Sequence, residues 1–307
     1  PIAVLEALEA SGVNVQPPSK ALAFAQNKLH MRQKLSALGL PMPNWAEVKT
    51  AAELEQFISA NGGVAILKTP IGGYDGKGVR VVRSADDASD WLDKIADFGG
   101  SLLAEEKVDF VRELAQLSAR NVDGEFQAWP LVETIQENGV CSVVLAPAPD
   151  AHEATLQQTQ KIARDVATGL GVTGVLAVEL FQARDGRILI NELAMRPHNS
   201  GHWSIDGAVT SQFENHIRAV LDLPLGNPSP VARWTVMVNV IGGDFPDMYA
   251  AFKHCMARDP GVRIHMYGKE VRKGRKIGHV TVLSDDLEDA LSRAHHAADY
   301  LCGTIQE

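Results

Sequence analysis

The sequence predicts a mixed α/β (α+β) protein of about two domains. Short apolar runs alternate with amphipathic helical stretches, caps or glycine stops punctuate several of those stretches, and 307 residues exceed the roughly 150 typical of one domain. Hydrophobic residues make up 45% and charged residues 22%, the balance of a globular chain rather than a disordered or disulfide-stapled one.

Residues 3–11 read as a short helix. Val13–Val15 reads as a strand stopped by Gln16-Pro17-Pro18, because proline cannot donate to a ladder. Ser19 is placed to cap the next helical stretch, and another helix runs to about Leu38, with Met31, Leu35 and Leu38 on one face and Gly39 as its stop. Thr50 with Glu53 makes a capping box, and Asn61-Gly62-Gly63 ends that helix. Val64–Leu67 and Val79–Arg83 read as strands on either side of a glycine-rich loop at 72–78, and Ser84 starts a helix to about Asp97. Leu102–Glu105, Glu113–Arg120, Phe126–Ile135 and Val140–Leu145 are strand-like, with Asp123-Gly124 and Asn138-Gly139 as turn signals. Residues 153–170 carry apolar side chains at 156, 163, 166, 167 and 170, a helical stripe. The stretch from Leu223 to Pro230, with three prolines, is the linker candidate, and beyond it lie two or three strands and a closing helix from about Leu287.

Twenty-nine Lys and Arg against 38 Asp and Glu leave a formal charge of −9, which argues against a general polyanion surface. The five tryptophans are scattered and form no stacking platform, so nucleic acid is not an expected partner. Cys141, Cys255 and Cys302 are far apart and suit a reducing cytoplasm better than a zinc site or a disulfide framework. No apolar run approaches the roughly 20 residues that span a bilayer, so no membrane partner is expected.

The most informative local geometry lies in Val175–Ala194, where two apolar runs flank Asp185-Gly186. A two-residue turn there sets Arg184 against Arg187, and the same register sets Glu179 against Glu192 on one face, with Cβ atoms roughly 5 Å apart. Like charges so placed repel unless something compensates, and magnesium, bound by one or two carboxylates plus substrate phosphates, fits the pair. The plainer alternative is a turn that differs by one residue, or two solvated side chains at an edge. Gly72-Gly73-Tyr74-Asp75-Gly76-Lys77-Gly78 frees backbone N–H groups to approach phosphate oxygens, and Lys68 supplies a point charge nearby; the spacing is neither a P-loop nor a dinucleotide fingerprint. Lys269, Arg272, Lys273, Arg275 and Lys276 form a basic cluster in an acidic chain, either a solvated strand end or a local anion site. Arg196-Pro197-His198-Asn199-Ser200-Gly201-His202 is dense in hydrogen-bond donors, and a capped turn is its plainer reading.

Three stretches resemble a known family, the ATP-grasp ligases, and within it the 5-(carboxyamino)imidazole ribonucleotide synthases. Lys68-Thr69 with Gly72–Gly78 looks like the family's flap. Asn191-Glu192-Leu193-Ala194-Met195 running into Arg196–His202, with Ser211-Gln212-Phe213-Glu214, is similar to its most diagnostic run, which ATP-grasp membership in general does not require. Tyr267-Gly268-Lys269 with Arg275-Lys276-Ile277-Gly278-His279 resembles its C-terminal signature, so the likeness covers nearly the whole chain.

The resemblance implies an ATP-grasp fold: a remnant of an N-terminal Rossmann-like (pre-ATP-grasp) domain at 1–27, the ATP-grasp domain at 28–223 and a small β-rich C-terminal domain at 224–307. The family's N-terminal strand-helix region with its glycine-rich turn has no counterpart in these residues. The implied reaction is ATP-dependent carboxylation of 5-aminoimidazole ribonucleotide with bicarbonate, through carboxyphosphate, in purine biosynthesis. ATP and Mg2+ are the implied cofactors. The implied partners are these small molecules, a second copy in a homodimer, and a downstream mutase.

Carried over position by position, Lys28 and Lys68 would contact ATP phosphates, and Gly73, Tyr74, Asp75, Gly76, Lys77, Gly78 and Val79 would close over them. Glu105, Glu106, Lys107 and Val108 would line the adenine, Glu113 would hold the ribose, and Gln136, Asn191 and Glu192 would complete the nucleotide site. Glu179 and Glu192 would hold magnesium. Tyr74, Asp75, Lys77, Arg196, His198, Asn199, Lys269, Arg275 and Lys276 would surround the imidazole ribonucleotide, with Lys77, Arg196, His198 and Lys269 as the catalytic group. Pro70 and Ile71 stand where the family usually has a basic residue, Thr134 and Gln136 replace an Asn and a His, and Met195 replaces a common proline. These departures motivate a second reading, a catalytically silent nucleotide-binding homologue. A third is another ATP-grasp ligase, acting on glycinamide ribonucleotide or resembling biotin carboxylase, which Arg196–His202 disfavours.

Overall fold

The computed structural model describes residues 1–72, 78–243 and 247–305. Helices α1 (Ile2–Ala10), α2 (Ser19–Gln26) and α3 (Lys28–Ala37) open the chain. Val13–Val15 forms no strand: among the described residues no strand pairs with it, and a lone extended segment has no ladder to complete. Ser19 lies inside α2 rather than capping it. Its N–H and hydroxyl donate to the Glu9 carboxylate at 2.7 and 2.5 Å, which ties α1 to α2 and holds the Glu9 carboxyl below its usual range. Asn27 caps α3 instead, its side chain accepting from the Leu29 and His30 N–H groups.

Next come β1 (Trp45–Val48), α4 (Ala51–Ala60), β2 (Ala65–Lys68), β3 (Val79–Val82), α5 (Ser89–Asp93) and β4 (Leu102–Glu106). Thr50 and Glu53 form both halves of the capping box that starts α4. The single helix expected over 84–97 is broken into two 3-10 turns around the short α5, and glycine at 99 in the left-handed region ends the segment. These strands make an antiparallel sheet in the order β1-β4-β2-β3. Side chains alternate across it: Ala65, Leu67 and Ala104 join a core with Leu54 and Ile58 of α4, so Lys68 and Glu105 point to the opposite face.

The larger sheet contains β5 (Phe110–Arg120), β6 (Phe126–Ala128), β7 (Val132–Glu137), β8 (Val140–Ala146), β9 (Gly174–Ala183) and β10 (Ile188–Ala194), with α6 (Glu153–Leu170), α7 (Ser204–Gly207) and α8 (Gln212–Val220). The run expected over 126–135 is two strands, because Trp129-Pro130-Leu131 interrupts it. Asn138 and Gly139 both take positive φ, 53° and 76°, as a tight hairpin turn requires. Past the linker, β11 (Trp234–Ile241), α9 (Phe252–Arg258), β12 (Arg263–Met266), β13 (Lys276–Ser284) and α10 (Leu287–Cys302) complete the described chain. The last three strands extend the same sheet, whose order is β10-β9-β5-β7-β8-β11-β13-β12 with β6 beside β5.

One face of this sheet is covered by α6, where Leu114, Val178, Leu180 and Ile190 meet Ile162 and Val166. On the other face, Ala115, Leu117, Ala119, Val175 and Ala177 pack with Trp129, Trp203 and Ala219. Continuing along β5 and β9 with period two, that second face changes from apolar to acidic at Glu113 and Glu179.

Candidate active site

The β9–β10 hairpin differs from expectation near its turn and agrees with it where the carboxylates lie. Ala183 N–H donates to the Arg187 carbonyl, so the loop is Arg184-Asp185-Gly186, three residues long, with Gly186 at φ 89°. Ile188, Leu189 and Ile190 pair with Gln182, Phe181 and Leu180, one residue out of the predicted register. A bulge between Ile190 and Leu193 then restores it, and Leu193 pairs with Val178. Asn191 and Glu192 occupy that bulge, across from Glu179.

Around the bulge the site assembles from three directions. Lys28 Nζ, at the start of α3, lies 3.5 Å from Glu192 Oε1. Lys68 Nζ, at the end of β2, lies 2.7 Å from Glu105 Oε2 and donates to Asn191 Oδ1 at 3.2 Å. His198 Nε2 lies 3.3 Å from Glu179 Oε1, and its Nδ1 shares a hydrogen bond with Ser200. Burial would raise the Glu179 carboxyl, but His198, Lys276 and Lys68 hold it below its usual value. Glu113 is pushed up to about 7 by burial and by Glu179, against a hydrogen bond from Gln136. Gln136 makes this contact with an amide that carries no titrating proton.

Glu105 also ties the two sheets together. Its backbone is paired on both sides, to Trp45 and Ile66, and its buried carboxylate bridges Arg32 and Lys68. Burial would raise its carboxyl, and the two cations hold it low. Glu106 is likewise engaged, accepting from Asn44 N–H and pairing with Arg187. Lys107 and Val108 line a shallow cleft with Asp109 and Phe110. The Asn199 amide forms a reciprocal pair with the Asn239 amide of β11, both bonds 2.8 Å, and Asn239 also donates to the Cys141 carbonyl. Gly78 and Val79 stand where β2 and β3 meet, whereas Gly73, Tyr74, Asp75, Gly76 and Lys77 lie outside the described residues.

The C-terminal signature contributes a basic rim. Lys269 sits 5.1 Å over the Tyr267 ring and donates to the Lys276 carbonyl; Lys269, Arg275 and Arg196 are exposed. Beneath the rim, His202, His265 and Tyr267 surround the buried His279. Burial lowers His202 to about 4 and His279 to about 2, and raises the Tyr267 phenol, and the neutral His279 shares a 2.8 Å hydrogen bond between Nδ1 and the Tyr267 hydroxyl.

Three positioning residues escaped sequence reasoning. Gln212, fully buried at the start of α8, accepts from His198 N–H and donates to the His198 carbonyl and His202 Nδ1. Asn239 anchors Asn199, and Arg32 braces the bulge. Two of them leave a sequence signal: Gln212 lies in the Ser211–Glu214 part of the diagnostic run, and Arg32 is a charged residue among Leu29, Met31 and Leu35 on the buried side of α3.

No metal is part of this structure, and the donor set fits magnesium. Among the described residues no group of three or more His, Cys, Asp or Glu is arranged to hold an ion alone, and Glu179 and Glu192 would supply the one or two carboxylates magnesium takes beside phosphates.

Comparison with known proteins bears on the fold and the family. The ATP-grasp domain profile matches residues 33–213, and that of the phosphoribosylaminoimidazole carboxylase C-terminal domain matches 235–293. The N5-carboxyaminoimidazole ribonucleotide synthase of Mycobacterium bovis is 47% identical over 304 residues, covering 98% of this chain and 71% of the relative. The N5-carboxyaminoimidazole synthase of Aspergillus clavatus, solved with ADP and 5-aminoimidazole ribonucleotide, superposes with a TM-score of 0.87 at 34% identity, covering 98% of this chain and 79% of that one. The Thermus thermophilus synthetase gives a TM-score of 0.83 at 37% identity, covering 100% of this chain and 79% of that one. With the diagnostic loop, the bulged carboxylate hairpin and the C-terminal signature in one cleft, the chain belongs to the N5-carboxyaminoimidazole ribonucleotide synthase family of ATP-grasp enzymes.

Proposed function

We propose that the cleft carries out its family's reaction with the residues just described. The chain is an ATP-dependent ligase that carboxylates 5-aminoimidazole ribonucleotide in purine biosynthesis. The observation that carries the site reading is the convergence of Lys28, Lys68 and Asn191 with the facing Glu179 and Glu192.

In this reading Lys28, Lys68 and Asn191 hold the ATP phosphates, Lys107 and Val108 meet the adenine, and Glu113 with Gln136 meets the ribose. Glu179 and Glu192 would hold Mg2+, which when bound supplies charge neutralisation for the transferring phosphoryl group. A bicarbonate oxygen attacks the γ-phosphorus, the bond to ADP breaks, and carboxyphosphate forms. The exocyclic amine of the imidazole ribonucleotide then takes the carboxyl group, directly or as carbon dioxide, while phosphate leaves and the amine loses a proton. Arg196, His198, Lys269, Arg275 and Lys276 stabilise the anionic groups, and residues 73–79 exclude water from the intermediate. No covalent enzyme intermediate is needed, since positioning supplies the effective concentration. We further propose a cytoplasmic homodimer, to be read by sedimentation velocity. Three cysteines far apart in the sequence fit a reducing compartment, and no helix among the described residues is long and apolar enough to cross a membrane.

Incubation with ATP, bicarbonate and 5-aminoimidazole ribonucleotide tests the reading: ADP release that depends on the ribonucleotide is expected, and its absence would sink it. Glycinamide ribonucleotide in its place should give no release.

A further inference from the structure

We propose that Arg32 is a positioning residue of the metal–nucleotide site, holding the β10 bulge that turns Glu192 toward the cleft. The inference rests on the reading of Glu192 as a metal ligand. Arg32 is completely buried, and its guanidinium uses three nitrogens on three partners. Nε pairs with Glu105 Oε1, Nη1 donates to the Ile190 carbonyl at 2.9 Å, and Nη2 donates to the Asn191 carbonyl at 2.8 Å.

The two carbonyls belong to the bulge. Were the register of Ile188–Ile190 to continue unbroken, Asn191 would stand across from Glu179 and Glu192 across from Val178, in the apolar core under α6. A one-residue slip moves every later side chain to the other face, so the bulge is what places Glu192 beside Glu179. A bulge takes backbone groups out of the ladder, and buried carbonyls without donors disfavour it. The planar fork of Arg32 supplies those donors in a fixed geometry that a single ammonium does not reproduce.

The second arm of the same side chain closes a ring. Glu105 binds Arg32 through one oxygen and Lys68 through the other, and Lys68 donates to Asn191. Arg32, Glu105, Lys68 and Asn191 thus join α3, both sheets and the bulge, and set the phosphate-binding lysine relative to the metal carboxylate.

Arg32→Lys keeps the charge facing Glu105 and cannot span both carbonyls. Titration calorimetry with ADP, with and without magnesium, is expected to show the magnesium-dependent gain in affinity reduced ~10–100-fold, as for the loss of a group that orients a metal ligand, with metal-free ADP affinity retained. Near-UV dichroism establishes that the variant is folded, and Leu54→Ala, in the core of the smaller sheet, controls for instability because it is expected to bind ADP as wild type does. A folded Arg32→Lys protein with the wild-type magnesium gain overturns the proposal. Should that variant not fold, Glu105→Asp, which keeps the charge on a shorter arm, must weaken ADP binding with and without magnesium; unchanged binding overturns it equally. Glu192→Gln separates the two readings: if it leaves the magnesium gain intact, the assignment of Glu192 has failed, whereas loss there and none in Arg32→Lys refutes Arg32 alone.

Discussion

Replacing Gln212 by leucine should unlatch the loop that presents His198. The amide is buried, accepts from His198 N–H at 2.8 Å, and donates to the His198 carbonyl at 2.8 Å and to His202 Nδ1 at 2.9 Å. Leucine fills similar space and makes none of these bonds. At ~1 kcal/mol net for each of the three, the loss is about 3 kcal/mol. At ~2–4 °C per kcal/mol for a domain of this size, the melting temperature falls by ~6–12 °C. Function falls separately, because the freed loop no longer keeps His198 Nε2 3.3 Å from Glu179. Calorimetry gives the first number. Ribonucleotide-dependent ADP release at a temperature where the variant is fully folded gives the second, with kcat expected to drop and ADP affinity, set by Lys28, Lys68 and Asn191, unchanged. A Gln212→Leu protein that melts and turns over as wild type refutes the latch.

Glu113 should make stability depend on pH. Its carboxyl rises to about 7 on folding from an ordinary 4.5, so the folded chain keeps a proton that the unfolded chain releases. The associated stability is fully present below pH 4.5 and is lost as pH rises through about 7. Glu113→Gln does not titrate, so denaturant melts should show it gaining on wild type between about pH 5 and pH 8; a difference independent of pH contradicts this. Asn239→Ala removes three bonds, two to Asn199 and one to the Cys141 carbonyl, and should raise the KM for 5-aminoimidazole ribonucleotide while leaving ADP binding unchanged. Steady-state kinetics with an unaltered KM would remove the tether from the account of the site.

Much of this molecule is written in short-range patterns. Thr50 and Glu53 are three residues apart and close the same helical turn, and Asn138-Gly139 admits the positive φ values its hairpin demands. The stripe at 156, 163, 166, 167 and 170 maps onto the side of α6 that packs on the sheet. Each is an interaction between near neighbours, whose geometry a helix or turn sets without the rest of the chain. The facing of Glu179 and Glu192 was legible for a less direct reason. The predicted two-residue turn is replaced by a three-residue loop, and the bulge offsets that extra residue before the carboxylates are reached.

Long-range partners were decided only by the tertiary structure. Arg32 meets Glu105 across 73 positions and Ile190 across 158, Asn239 meets Asn199 across 40, and nothing periodic in the sequence links such pairs. The same holds for Glu105, whose carboxylate lies buried between Arg32 and Lys68, partners that no local pattern announces. The amino-acid sequence determined most of the elements, the family and the residue types in the cleft, because these follow from local periodicity and contiguous motifs. The brace beneath them, and the bulge that turns Glu192 outward, required the sheets and α3 to meet, since buried charges and freed carbonyls select their partners only once the solvent around them is gone.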